Sequence, residues 1–413
     1  MEEWKEYKLK DASSILGDGI HGTPKYDDAG PVFFINGNNL ENGKIVIKDN
    51  TKRVSLEEAN KHKKPLTERT LFVSINGTLG NVARYNGESC ILGKSACYFN
   101  VKEEFDLDFI YYVVANSEFR NEIERLATGT TIKNVSLETM RNYTFYAPSL
   151  KAQKQIASIL KFLDDKIEVN RRINDNLEQQ AQALFKSWFV DFEPFKDHPF
   201  VESELGKIPQ GWRVGTLDEI GDVIGGSTPS KVRSEYYTEN GIAWLTPKDL
   251  SVSNAKFTAK GETDITQEGY NSCSTKLMPK GTVLFSSRAP IGYITIAKNE
   301  ICTNQGFKSV VPGYAGTAFI YCYLKAATPD IENKATGSTF KEASGSLMKS
   351  LQLKIAPKDI MDSFEKRLKP IFDEQECIED ESRRLAELRD TLLPRLMSGE
   401  LSVNDIKEQK IWK

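Results

Sequence analysis

The chain has 413 residues, 39% of them hydrophobic and 27% charged, with a formal net charge of −3. That length suggests two or three domains, and that apolar content excludes wholesale disorder. No apolar run reaches the ~18 residues of a membrane span, the charged start MEEWKEYKLK has no apolar stretch behind it, and the near-neutral balance excludes a uniformly basic DNA-coating protein. Three histidines (His21, His62, His198) and six cysteines without a CxxC spacing argue against a zinc or disulfide framework and for reduced thiols. Charge is unevenly spread, with basic residues in excess over 212–358 and acidic ones over 359–413. A DNA reader with localised basic loops therefore stays open.

In chain order the elements come twice. Trp4-Lys-Glu-Tyr-Lys-Leu faces Trp212-Arg-Val-Gly-Thr-Leu, and a Thr-Pro pair recurs at Thr23-Pro24 and Thr228-Pro229. LFVSINGTLGNV (71–82) aligns with VLFSSRAPIGYI (283–294), FIYY (109–112) with FIYC (319–322), and ATGTTIKNVSLETM (127–140) with ATGSTFKEASGSLM (335–348). This is an internal duplication. In the first half VFFI (32–35), KIVI (44–47) and TLFVSI (70–75) predict strands, and 109–127 predicts one helix. In the second half TVLFSS (282–287) and GYITIA (292–297) predict strands, and PDIENK (329–334) a helix end. The expected class is α+β, with target domains over 1–150 and 212–358.

After Ala-Pro at 147–148 and 356–357, each half enters a long helix pattern, 151–190 and 359–398. One seam runs Ile156, Leu160, Leu163, Ile167, Asn170, Asn174, Leu177, Ala181, Leu184, Trp188. The other runs Phe364, Leu368, Ile371, Gln375, Ile378, Ser382, Leu385, Arg389, Leu392, Leu396. Spacings of four and three over more than four heptads are the coiled-coil pattern, and polar seam residues set register. Such helices would be about 55–60 Å long, too long for one domain, so they are expected to pair antiparallel about a pseudo-two-fold axis. Pro194 lies past the first helix, in a linker over 191–211; Pro394 should kink or stop the second, ahead of a tail over 399–413.

Catalytic motifs are wanting. LGKSA (92–96) has the Gly-Lys-Ser of a phosphate-binding loop, but Glu88 stands where that loop needs glycine, so a strand-edge loop is expected. The chain has no Pro-Pro dipeptide for an amino-methyltransferase loop, and no nucleophile set can be built from its three histidines. What recurs in both halves is a set of amide-rich and basic loops. The first half offers Thr23, Lys25, Asn36, Asn38, Asn39, Asn76, Thr78, Lys94 and Lys133. The second offers Thr228, Ser230, Lys231, Arg233, Lys248, Ser286, Ser287, Arg288, Asn304, Gln305, Lys308 and Lys341. Arg and Lys bond guanine edges, Asn and Gln adenine edges, and Ser or Thr suit phosphates or either base.

SWFVDFEPF (187–195), ESELGKIPQGW (202–212) and LRDTLLPRLMSGEL (388–401) resemble the central and C-terminal regions of type I restriction-modification specificity subunits. The second-half pattern GGSTPSK, WLTPKDL, SSRAPIGYI and TNQGFKSV resembles a target-recognition domain of that family. The first half departs from it, with NGNNL, NGTLG and LGKSA in the corresponding places, which implies a different half-site. The resemblance implies a non-catalytic cytoplasmic subunit that reads bipartite double-stranded DNA, one half-site per domain. It implies two methyltransferase subunits and further restriction subunits as partners, with S-adenosylmethionine, ATP and Mg on those partners and none here. Off-seam Arg171, Arg172, Glu178 and Gln182 are the expected docking residues. A coiled-coil adaptor that binds proteins through its globular ends is the competing reading.

Overall fold

The structure is a computed structural model that describes residues 3–404 except 130, 254 and 338–340; most of the tail, 405–413, lies outside the described residues. The chain forms two compact units. One comprises Met1–Ile167 and Arg384–Lys413, the other Glu168–Arg383. Each unit therefore takes one recognition domain and a part of each long helix.

In the first unit, β1 (Ser13–Asp18), β2 (Thr70–Ser74), β3 (Val82–Arg84) and β4 (Ala96–Val101) form a sheet in the order β1-β4-β2-β3. The inner strands β2 and β4 are buried along their whole length. Their side chains alternate between two cores. Leu71, Val73, Cys97 and Phe99 join the helical core, while Phe72, Ala96 and Tyr98 join Ile35, Leu40 and Leu92 on the other face. Of KIVI only Lys44–Ile45 pairs, with Leu40–Glu41, and Ile47 is exposed. The helix expected over 109–127 is two: α1 (Leu107–Ala115) and α2 (Ser117–Leu126). Asn116 breaks it. Its backbone is extended and its Oδ1 accepts the Phe119 N–H at 2.7 Å, capping α2.

The second unit repeats this plan. Its β5 (Gly221–Gly225), β6 (Phe257–Thr258), β7 (Val283–Ser287), β8 (Ile291–Ala297) and β9 (Lys308–Pro312) lie in the order β5-β9-β7-β8-β6. That is the first sheet's order with β6 added in parallel beside β8. The repeat extends to register: Lys5 pairs with Ala147, and Arg213 pairs with Ile355. Here α3 (Thr317–Lys334) is continuous, with Ala326 where the first half has Asn116, and PDIENK forms its end.

The long helices span Leu150–Phe189 and Lys358–Met397, 40 residues each. Within each unit they run antiparallel. In the first unit Arg389 Nη1 donates to Asp164 Oδ1 at 2.8 Å, and Ile156, Leu160 and Leu163 share a core with Leu392 and Leu396. In the second, Asn170 Nδ2 donates to Glu381 Oε2 at 2.7 Å and to Ser382 Oγ at 3.2 Å, and Gln375 Nε2 donates to the Asn174 carbonyl at 3.3 Å. Asn170, Gln375 and Ser382 are thus bonded across the pair by their side chains, whereas Asn174 contributes its backbone carbonyl.

Two expectations about the helices need correction. Past Ala181 the buried seam moves one residue on, to Phe185 and Phe189, leaving Leu184 and Trp188 only partly buried. Aromatic packing drives the shift, since the Phe189 ring lies 4.7 Å from Phe319 and 4.8 Å from Phe364. Pro394 does not stop the second helix. It sits in the last turn, where the helix runs on to Met397 and the Ser398 N–H still reaches the Pro394 carbonyl. Residues 191–211, read as a linker, pack Phe192, Phe195 and Ile208 against Trp212 in the second unit's core.

Candidate nucleic-acid interface

Both domains bring the same loops together at the sheet end by the same backbone bonds. In the first, Ile75 N–H donates to Ser95 O and Val135 N–H to Ile75 O. In the second, Ser287 N–H donates to Gly306 O and Ala343 N–H to Ser287 O. Gly77 and its counterpart Ala289 both have left-handed backbone, with φ of 78° and 51°. Each follows the side chain at the corresponding loop position, Asn76 or Arg288, and a left-handed backbone lets the chain turn sharply there. The turns NGNN and TPKD match as well. Asn39 Oδ1 accepts the Asn36 N–H at 2.9 Å, and Asp249 Oδ2 accepts the Thr246 N–H at 2.7 Å.

In the second domain these loops line a cavity of about 420 Å³. Thr228, Lys231, Lys248, Arg288, Asn304 and Gln305 all face it. Thr228 Oγ1 bonds Gln305 Oε1, Lys248 Nζ pairs with Glu262 at 2.8 Å, and Asn304 Oδ1 accepts the Gly306 N–H. Ser230 and Arg233 are exposed on the turn beside it, closed by an Arg233 N–H to Ser230 O bond. Lys341 is exposed, with Nζ on the Glu332 carbonyl. Lys308 is mostly covered and donates to Glu342 at 3.2 Å. The exposed candidates of the first domain are Thr23, Lys25, Asn38, Thr78, Lys94 and Lys133, with Asn76 half-buried.

Four candidates brace the loops themselves, three of them buried and Asn36 half-buried. Ser286 and Ser287 are fully buried. Ser286 Oγ accepts the Tyr293 N–H and donates to Pro290 O, and Ser287 Oγ donates to Gly306 O. Asn39, 4% exposed, gives Nδ2 to the Val46 carbonyl and to Thr51 Oγ1. Asn36 Oδ1 accepts from Ser95 Oγ at 3.0 Å. Polar residues at strand ends carry the same letters whether they satisfy buried backbone or face solvent, so sequence alone merged the two classes.

The helix candidates divide too. Arg171 and Arg172 are well exposed, pairing with Glu168 on their own helix. Glu178 and Gln182 are not a free face. Glu178 accepts from Lys256 Nζ at 2.7 Å and from Lys325 Nζ at 2.8 Å, and Gln182 Nε2 donates to it at 3.0 Å. Burial works to raise the Glu178 carboxyl, but the two ammonium groups outweigh it and hold it down at about 2. Lys256 itself is 7% exposed; its Nζ also donates to Gln375 and lies 3.5 Å from the Phe372 ring centroid and 4.3 Å from that of Tyr321. Glu379 accepts the Lys256 and Phe257 N–H groups. This cluster ties the domain to both helices of its unit. Lys256 carried no sequence signal, since its partners lie far along the chain.

Among the described residues, no helix is long and apolar enough to cross a membrane. The family model of the type I restriction modification DNA specificity domain matches the chain twice, over 1–179 and 209–387. The HindI specificity subunit of Haemophilus influenzae is 25% identical over 476 aligned residues, covering 97% of this chain and 100% of that protein. The MjaIX specificity subunit of Methanocaldococcus jannaschii is 41% identical over 157 residues, which span 37% of this chain and only 36% of that protein. A crystal structure of a type I restriction-modification S subunit from M. genitalium shares the fold, with a TM-score of 0.60 at 20% identity and 96% of each chain covered. Two matched copies, on the two halves of a duplicated α+β chain, place this protein in the type I restriction-modification DNA specificity family.

Proposed function

We propose that this chain reads a bipartite duplex DNA target, one half-site per recognition domain, and carries no catalytic step itself. The observation that carries this is the second domain's cavity, where Thr228, Lys231, Lys248, Arg288, Asn304 and Gln305 converge. Guanidinium, amide and hydroxyl groups on one concave face supply the donors and acceptors that base edges require. The exposed Lys94, Lys133, Arg233 and Lys341 suit phosphates, which fix register without reading sequence. The homologous but chemically different loops of the first domain suit a different half-site. The paired helices scaffold two methyltransferase subunits, with Arg171 and Arg172 on the accessible face, and the assembly recruits restriction subunits. S-adenosylmethionine, ATP and Mg belong to those partners, and the complex works in the cytoplasm. The adaptor reading has no comparable support, because it leaves the convergent polar loops without a role.

Binding of random and selected duplexes, with and without the methyltransferase partner and across a salt series, tests this reading. Affinity should fall with salt, at a logarithmic slope of about −0.9 per phosphate neutralised, and a sequence-selective fraction should persist. Absence of any selective fraction in the full complex sinks the reading. Methyl transfer by the chain alone from labelled S-adenosylmethionine sinks the non-catalytic part.

A further inference from the structure

Resting on that reading, we propose that two cross-loop pairs, Asn76–Asn134 and Arg288–Glu342, are equivalent specificity elements. In each pair the residue on the second loop positions the base reader on the first. Glu342 and Asn134 are thereby specificity-determining residues, and the pairs favour different bases. Arg288 is directed to the O6/N7 edge of guanine and Asn76 to the N6/N7 edge of adenine.

The equivalence rests on backbone as well as sequence. Asn76 and Arg288 each precede a left-handed residue on corresponding loops. Asn134 and Glu342 each follow a lysine in the matching ATG segments, Lys133 and Lys341. Each also closes a small bridge, Asn134 with Thr128 and Glu342 with Thr336. The next residue on each second loop, Val135 or Ala343, donates its N–H to the first loop.

The chemistry then differs. Asn76 Nδ2 donates to Asn134 Oδ1 at 3.1 Å. This orients the Asn76 amide and leaves its Oδ1 and second Nδ2 proton, an acceptor beside a donor. Adenine offers the complement, an N6 donor beside the N7 acceptor. In the second domain Glu342 divides its oxygens. Oε1 takes Lys308 Nζ at 3.2 Å, and Oε2 lies 3.5 Å from Arg288 Nη1. Glu342 thus steers one arm of a guanidinium that lines the cavity and is 36% exposed, leaving the other N–H groups as a two-donor fork. Guanine presents the matching two acceptors, O6 and N7. Lys308, 15% exposed, anchors the carboxylate from behind. The carboxylate is itself an acceptor of the kind that takes a cytosine N4 proton, so it suits the same G·C pair.

The test uses the full chain assembled with its methyltransferase partner on a randomised duplex library, with the methylated pool sequenced. The pair transplant Arg288→Asn with Glu342→Asn should move one position of the second domain's half-site from guanine toward adenine, by roughly tenfold or more. The other half-site should stay as in wild type. The converse, Asn76→Arg with Asn134→Glu, should move one position of the other half-site toward guanine. Glu342→Gln keeps an acceptor without charge and should relax discrimination at the Arg288 position only, less than Glu342→Ala does. An unchanged motif with methylation retained overturns the proposal, and so does equal loss at every position, which marks a phosphate or folding role. If a transplant does not fold by thermal melting, Glu342→Gln decides by the same criterion. A wild-type complex that methylates without any motif would instead overturn the proposed function.

Discussion

The two units hold the same fold onto the helix pair by different means. In the first, Tyr112 donates its hydroxyl to Asp164 Oδ2 at 2.6 Å, and Arg389 reaches the other oxygen at 2.8 Å, with both ionic side chains about 30% exposed. In the second, a buried lysine, two carboxylates, an amide and two aromatic rings meet. Each anchor uses the start of a repeated helix. Tyr111 and Tyr321 stand at matching places, and each carries a cation on its ring, Arg84 at 3.5 Å and Lys256 at 4.3 Å. Arg84 ends β3, whereas Lys256 lies just before β6, so the two domains share the ring but not the element that supplies its cation. A partly exposed ion pair tolerates loss better than a buried one, because solvent reaches the partner left behind.

The sharpest way to break this contrast is to delete one cation in each unit. Lys256→Ala leaves the largely covered Glu178 carboxylate with only Lys325 and Gln182, unpairs the Gln375 Oε1, and should cost ~3 kcal/mol. Arg389→Ala should cost about 1 kcal/mol or less. Urea unfolding of both variants measures the gap, and equal costs would abolish the distinction. The same cluster should respond to acid. Glu178 titrates at about 2 when folded, below its ordinary 4.5, so its stabilisation is complete above pH ~4.5 and is lost as pH falls toward 2. Burial raises Glu379 against its backbone donors, so protonating that group relieves a cost and acts in the opposite direction. Glu178→Gln should therefore flatten the stability profile between about pH 4.5 and 2, and a wild-type slope retained by the variant would exclude Glu178 as its source.

The matching turns allow a milder comparison. Asn39→Ala unpairs the Asn36 N–H and the Val46 carbonyl and should cost ~1–3 kcal/mol; Asp249→Ala unpairs Thr246 and Glu262 N–H groups and should cost somewhat more, because its acceptor is charged. Melting temperatures should fall for both while the Asn39→Ala complex keeps its methylated motif. A changed motif would return Asn39 to the DNA contacts. The smallest effect is expected where the repeated helix differs. Asn116→Ala removes the cap of α2 and should cost about 1 kcal/mol. A neutral result in thermal unfolding would mean that packing, not the cap, breaks this helix.

How far the site was legible varies by residue. Arg288, Asn304 and Gln305 were singled out on loops that occur in both halves, and they line the second domain's cavity. Ser286 and Ser287 recur in the same loop and are fully buried, bonded to backbone the sequence cannot locate. Glu342 and Asn134 were visible in the aligned ATG segments, but an acidic residue beside basic and amide loops reads as a mismatch until its distance to Arg288 and Lys308 is known. Glu178 fell on a charged helix stripe, and only Lys256 and Lys325, brought in from the recognition domain, explain its burial.

By itself the sequence determined the duplication, the α+β class, the two antiparallel helices and the loops that carry polar side chains. These follow from periodicity and repetition, which are local properties of the chain. The tertiary structure decided which serines and asparagines face inward, which helix charges are spent on the unit's own core, and which residues pair across loops. Those outcomes depend on neighbours distant in sequence. Whether a polar group meets solvent, buried backbone or a counter-charge is settled only when the chain closes around it.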